Sequence, residues 1–182
     1  MKLVITILVL VLFLFVFYRE PTLNIKPFNH NIVFSPASGT IQQIARLQNG
    51  NLHIAIFLSP FDQHYQTAPI CGTVVSQVHD ANGQFALAFE LTKAHDNEKM
   101  ITKLQTAHGL MTVTQIAGYL VRRIRSFVHP TQHVKSGELI GHIAFGSRVD
   151  IEIPDTSKFR LMVKEGEMVD AGWTQLGVYS EQ

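Results

Sequence analysis

Few residues in this 182-residue chain have types and spacings suited to chemistry. Gly146 precedes Ser147 in the stretch IAFGSRVDIEIP. A serine hydroxyl is a poor nucleophile at its free pKa and needs a base or a favourable geometry to activate it. A glycine before it removes the Cβ that would crowd the attacking oxygen and permits a strained backbone. The same dipeptide is also one of the commonest turns. His64, in SPFDQHYQTAP, carries an imidazole that can hold and deliver a proton near neutral pH. Asp62 either orients that segment or caps its turn. His142 lies close ahead of Ser147 and is a candidate base for it. Arg122, Arg123 and Arg125 form a basic cluster, suited to the oxygens of a phosphate or else a solvated face. His30, His53, His79, His95, His108, His129 and His133 show no convergent ligand spacing, so no metal is expected. The single Cys71 cannot form an internal disulfide and reads as a buried structural thiol.

The elements that must position these groups are mostly strands. Between Ile32 and about Ala94 short apolar runs alternate with turns: IVF before SPASG, LHIAIFL before SPFDQH, GTVVSQV before HDANG, then QFALAFEL. Such a pattern predicts an antiparallel barrel or sandwich. One helix is expected over Thr114 to Phe127, where Ile116, Leu120, Ile124 and Phe127 fall on one helical face with Arg122 and Arg125 off it. The remainder returns to strands: ELIGHIAF, RVDIEIP, FRLMV and TQLGVY, the last after the turn VKEGEMVDAG.

Composition sets wider bounds. Lys plus Arg number 15 against 14 Asp plus Glu, a balance that argues against a nucleic-acid partner. Hydrophobic residues are 46% and charged ones 16%, a skew owed largely to the N-terminus. There Leu3 to Tyr18 carries no charge. As a helix it would cover roughly 24 Å, slightly short of the ~30 Å hydrocarbon core. Phe17, Tyr18 and Arg19 stand where a signal peptidase would need small residues, so an uncleaved anchor, single-pass or deeply interfacial, is expected. The polar, proline-bearing residues after it read as a linker.

Several segments, in order, resemble the phosphatidylserine decarboxylase family. FYREP (Phe17 to Pro21) is similar to its juxtamembrane entry, FSPASG (Phe34 to Gly39) to its Ser-Pro-x-Asp-Gly turn, and LSPFDQHYQTAP (Leu58 to Pro69) to its functional-histidine segment. HDNEK (His95 to Lys99) resembles its Asn-Glu-Arg stretch, QIAGYLVRRI (Gln115 to Ile124) one of its helices, and GELIGHIAFGSRVDIEIP (Gly137 to Pro154) its processing region. The short bacterial and archaeal branch, with Phe-Gly-Ser-Arg at the processing site, is the nearest match. The resemblance implies a proenzyme in which the Ser147 hydroxyl attacks the Gly146 carbonyl. An ester forms, elimination breaks it, and hydrolysis leaves a pyruvoyl cofactor at the new N-terminus. It further implies His64 as proton donor and a serine-type phospholipid as substrate.

On that basis the chain divides into an anchor over 1–20, a linker over 21–31 and a decarboxylase-like domain over 32–182. The domain is expected to be mainly β with one or two helices (α+β), resembling a barrel-sandwich hybrid, and cut into a β chain 1–146 and an α chain 147–182. MVKEGEMVDAG (Met162 to Gly172) adds a hairpin-like pattern seen in lipoyl and biotinyl carriers, without their lysine motif. Expected partners are a membrane phospholipid and the two chains of one precursor; a homodimer is left open. Two positions depart from the family. Ser38 stands where much of it has aspartate, and Thr67 where longer bacterial enzymes have a second histidine. They leave a degenerate, uncleaved, membrane-tethered relative as an alternative, alongside an archaetidylserine decarboxylase.

Overall fold

Short β-branched runs broken by Gly, Pro and Asp cannot bury themselves locally, so each strand must find partners far along the chain. The computed structural model describes residues 2–19, 22, 30–81, 97–118, 123–144, 147–154 and 156–180. After a helix α1 (Lys2–Phe17) come β1 (Ile32–Phe34), β2 (Gly39–Arg46), β3 (Leu52–Leu58), β4 (Tyr65–Thr67), β5 (Gly72–Asp80), β6 (Lys99–Thr106) and β7 (Gly109–Ile116). They are followed by β8 (Ile124–Ser126), β9 (His133–Val134), β10 (Leu139–Ile143), β11 (Ser147–Ile153), β12 (Phe159–Leu161), β13 (Met168–Val169) and β14 (Gln175–Tyr179).

An eight-stranded sheet in the order β13-β2-β3-β11-β7-β6-β5-β9 curls into a half-barrel. Two three-stranded sheets, β1-β14-β12 and β4-β10-β8, complete the domain. The late strand β11 inserts antiparallel between β3 and β7, Val149 opposite Ile56 on one side and Gln115 on the other. Its Val149, Ile151 and Ile153 join Ile54, Ile56, Leu58, Met111 and Val113 in the core. Gly39 is required where β2 meets β3, because a Cβ there would lie 2.1 Å from the Phe57 carbonyl oxygen.

Two expectations change. The helix over Thr114 to Phe127 is absent from the described part of that range: Thr114 to Ile116 close β7, and Ile124 to Ser126 form β8. The deciding pattern is the two-residue alternation of β7, with Met111, Val113 and Gln115 inward and β-branched Thr112 and Thr114 between them. The MVKEGEMVDAG segment is no hairpin of its own. β12 before it pairs with β14, whereas β13 within it pairs with β2. Where the anchor is expected the structure has α1, of 16 residues, and no helix among the described residues is long and apolar enough to cross a membrane. The expected strand QFALAFEL lies outside the described residues.

Candidate active site

Ser147 opens β11 opposite Leu58, the last residue of β3. The loop 59–64 leaves β3 at that point and carries Asp62 and His64. The Asp62 carboxylate accepts a hydrogen bond from the Ser59 amide (2.7 Å), which tightens the turn. The backbone carbonyl of Asp62, at 2.8 Å, faces His64 Nδ1. A carbonyl only accepts, so Nδ1 carries the hydrogen and the lone pair of the neutral ring sits on Nε2. Asp62 thus orients His64 through the main chain, while its side chain caps the turn.

His64 is wholly buried. Burial drives its pKa down to about 4, opposed by the bond to the Asp62 carbonyl and reinforced by the nearby His142 imidazole. The ring is therefore neutral at physiological pH, and it must take up a proton before it can give one. Its backbone is held as tightly as its ring. Gln115 donates to the Gln66 side-chain carbonyl (2.8 Å), and Gln66 donates to the His64 carbonyl (2.8 Å). Both glutamines are buried. They were not singled out from the sequence; the one signal for Gln115 was its place in the inward register of β7.

β10 runs between two neighbours toward Ser147. His142 lies opposite Tyr65 on β4 and Arg125 on β8. The Ile143 amide donates to the His64 carbonyl (3.0 Å) and the Ala144 amide to the Arg123 carbonyl (3.2 Å). Gly141 is needed for this packing, since a Cβ would meet the Arg125 carbonyl oxygen at 2.7 Å and the Gln115 amide at 2.6 Å. Two residues that lie outside the described set, Phe145 and Gly146, then join Ala144 to Ser147. The Ser147 hydroxyl is buried and has no hydrogen-bond partner among the described residues.

Beside this junction lies a cleft of about 360 Å³, lined by Tyr18, Tyr65, Arg123, Arg125, Phe127, His142 and Ala144. Arg123, Arg125 and Phe127 are exposed and alternate along β8, so a strand rather than a helix places the two arginines on one face. Arg122 lies outside the described residues. The His142 pKa is lowered by burial and then by the Arg125 charge. Its ring stacks on Tyr18 (centroids 5.8 Å apart) and meets Tyr65 edge-on (4.7 Å). A roomier groove, about 680 Å³, crosses the outer face of the eight-stranded sheet. Its floor holds the ion pair of Arg148 with Asp150 at 2.8 Å, and His53 Nε2 lies 3.2 Å from the same carboxylate. The smaller cleft reaches the Ser147 junction at Ala144 and the larger groove reaches it at Arg148.

The family model described as phosphatidylserine decarboxylase matches residues 10–177. The chain belongs to the phosphatidylserine decarboxylase family, and with it to the proenzyme-type decarboxylases. A phosphatidylserine decarboxylase proenzyme of Chlorobaculum tepidum is 37% identical over 166 residues, 88% of this chain and 75% of the relative. One from Streptomyces griseus is 37% identical over 160 residues, 88% and 71% of the two chains. An archaeal relative from Methanothermobacter thermautotrophicus, named for archaetidylserine, is 35% identical over 177 residues, 87% and 77% of the two chains. Within this family's pattern the two departures fall together. The Thr67 amide bonds the Pro36 carbonyl (2.9 Å), and its hydroxyl points to the Ser35 carbonyl (3.5 Å). The Ser38 hydroxyl accepts from the Ala171 amide (3.0 Å). The HDNEK match has a structural use: buried Asn97 donates to the Ala117 carbonyl (2.9 Å), tying the start of β6 to the end of β7.

Proposed function

We propose that this chain processes itself between Gly146 and Ser147 and then decarboxylates a serine phospholipid at a membrane surface. The observation that carries the proposal is the buried Ser147 hydroxyl, without a hydrogen-bond partner among the described residues and set directly after the connection from β10. Leaving such a group unsatisfied costs about 1–3 kcal/mol, which a fold tolerates where chemistry needs the atom. His64, in the Nδ1–H tautomer, takes the hydroxyl proton on Nε2 as the oxygen attacks the Gly146 carbonyl. The Ser147 nitrogen leaves as the ester forms, and receives the proton back. Loss of the Ser147 α-proton then expels the Gly146 carboxylate, and the resulting dehydroalanine takes up water and releases ammonia.

The orphaned position of Ser147 suits the pyruvoyl group so formed. That group supplies the electron sink for loss of carbon dioxide from an α-amino carboxylate. The chain does the rest. Arg123 and Arg125 hold the phosphate through guanidinium hydrogen bonds, and Tyr18, Tyr65 and Phe127 wall the cleft. His64 delivers a proton to the carbon that lost carbon dioxide; an imidazole with so low a pKa gives up a borrowed proton readily. Phosphatidylserine and archaetidylserine share the headgroup, so both fit. We also read residues 1–20 as an interfacial anchor, 21–31 as a linker, and 32–182 as a domain of the barrel-sandwich-hybrid type.

Intact mass and denaturing electrophoresis test this. Wild type should yield fragments 1–146 and 147–182, the latter blocked at its N-terminus and reactive with hydroxylamine. Ser147→Ala should stay whole and inactive. The hydroxyls of Ser38 and Thr67, committed to backbone groups, favour the second reading, an uncleaved tethered relative. A single wild-type species after long incubation would establish that reading instead.

A further inference from the structure

Exposed apolar side chains stand at the cleft and on the loop that carries His64. Phe61, in the loop before His64, is 70% exposed. Phe127 follows β8 at 45% exposure, its ring 6.2 Å from Tyr65. Tyr18, at 50%, covers His142 from the end of α1. The Arg19 guanidinium donates to the Phe61 carbonyl (3.3 Å) and so ties the end of α1 to the loop. α1 continues the apolar surface, with Leu8, Val11, Leu12 and Phe15 all exposed. Arg123 and Arg125 stand on the same face of β8 as Phe127, and among the described residues no carboxylate lines the cleft.

Aromatic tips interleaved with guanidiniums, continuous with an apolar helix, match the boundary layer of a bilayer: acyl chains below, anionic headgroups above. A protein partner would not account for the helix that extends this surface. We propose that Phe61, Phe127 and Tyr18 form a second membrane contact, besides α1, that seats the domain on anionic lipid with the cleft mouth facing the headgroups. Phe61 enters the acyl boundary, and Arg123 and Arg125 remain at phosphate level. The substrate class is that proposed above. The docking geometry is new: the serine headgroup would enter sideways from the leaflet, without the lipid leaving it.

The direct test places a tryptophan at the tip. The full chain with Trp173→Phe and Phe61→Trp is mixed with vesicles of phosphatidylglycerol and acyl-brominated phosphatidylcholine. Loss of about half the emission or more, with a blue shift, is expected. Unquenched emission at the water-exposed wavelength, with the protein bound to the vesicles through α1, would overturn the rim. A second test uses Phe61→Ser. It should process normally, convert a short-chain, water-soluble serine lipid as wild type does, and lose tenfold or more on vesicles. Equal loss on both substrates, or none on vesicles, also overturns the rim. If wild type converts neither substrate the decarboxylase reading fails, and the quenching result still decides the rim.

Discussion

In the proposed reaction the tautomer of His64 ties two roles to one ring. Because Nδ1–H is spent on the Asp62 carbonyl, only Nε2 is left for proton transfer. His64→Ala should slow self-cleavage at least a hundredfold, read as accumulation of whole chain on gels. Asp62→Asn should process at close to the wild-type rate, since the turn cap needs an acceptor oxygen and not a charge. A large rate loss in that variant would assign the carboxylate a chemical role. Stability should follow the ring as well. The folded pKa lies near 4, below the ordinary 6.5, so the unfolded chain takes up the proton first. Stability from this group is complete above about pH 6.5 and is lost as pH falls toward 4, by about 3 kcal/mol. Urea melts of Ser147→Ala, compared with its His64→Gln derivative across that window, isolate the effect. From the sequence His64, Asp62 and Ser147 could be named, because their types and motif contexts survive in the letters. The neutral state of His64 could not, since it comes from burial by distant strands.

At the scale of the element, β11 sets the limits. It is bonded to β3 and β7 along nearly its whole length, so cutting before Ser147 breaks no ladder hydrogen bond. Fragments 1–146 and 147–182 should co-elute on native size exclusion and separate only in denaturant. Ile151→Ala, at a wholly buried site, should cost 2–5 kcal/mol in a chemical melt. Strands were legible where alternation and turn residues agreed: LHIAIFL is β3 to the residue, and GTVVSQV begins β5. The segment Thr114 to Phe127 misled because apolar spacings of four and three also arise across two short strands and the stretch between them. The insertion of β11 between β3 and β7 left no local mark, because the pairing of distant strands is set by the tertiary core.

For the whole molecule, the question is how a domain with the 16-residue helix α1, apolar but for Lys2 and Thr6, would meet a bilayer. A helix of this length covers about 24 Å against ~30 Å of hydrocarbon, and it suits lying at the interface better than crossing it. Replacing the exposed Leu8 and Leu12 by glutamate should move the protein from the membrane pellet to the supernatant, with self-cleavage unchanged. Persistence in the pellet would place the main attachment elsewhere. Composition showed the apolar run plainly, but not that its last residues would fold back to wall the cleft. Tyr18 and Arg19 reach His142 and Phe61 only in three dimensions.

The central position of β11 also bears on timing during synthesis. The ribosome makes β3 and β7 well before the strand that must lie between them, so the half-barrel stays open at its middle until residues 147–153 emerge. Maturation is thereby postponed until the gap is filled, and a transcript broken upstream of that point yields a protein that never arms itself.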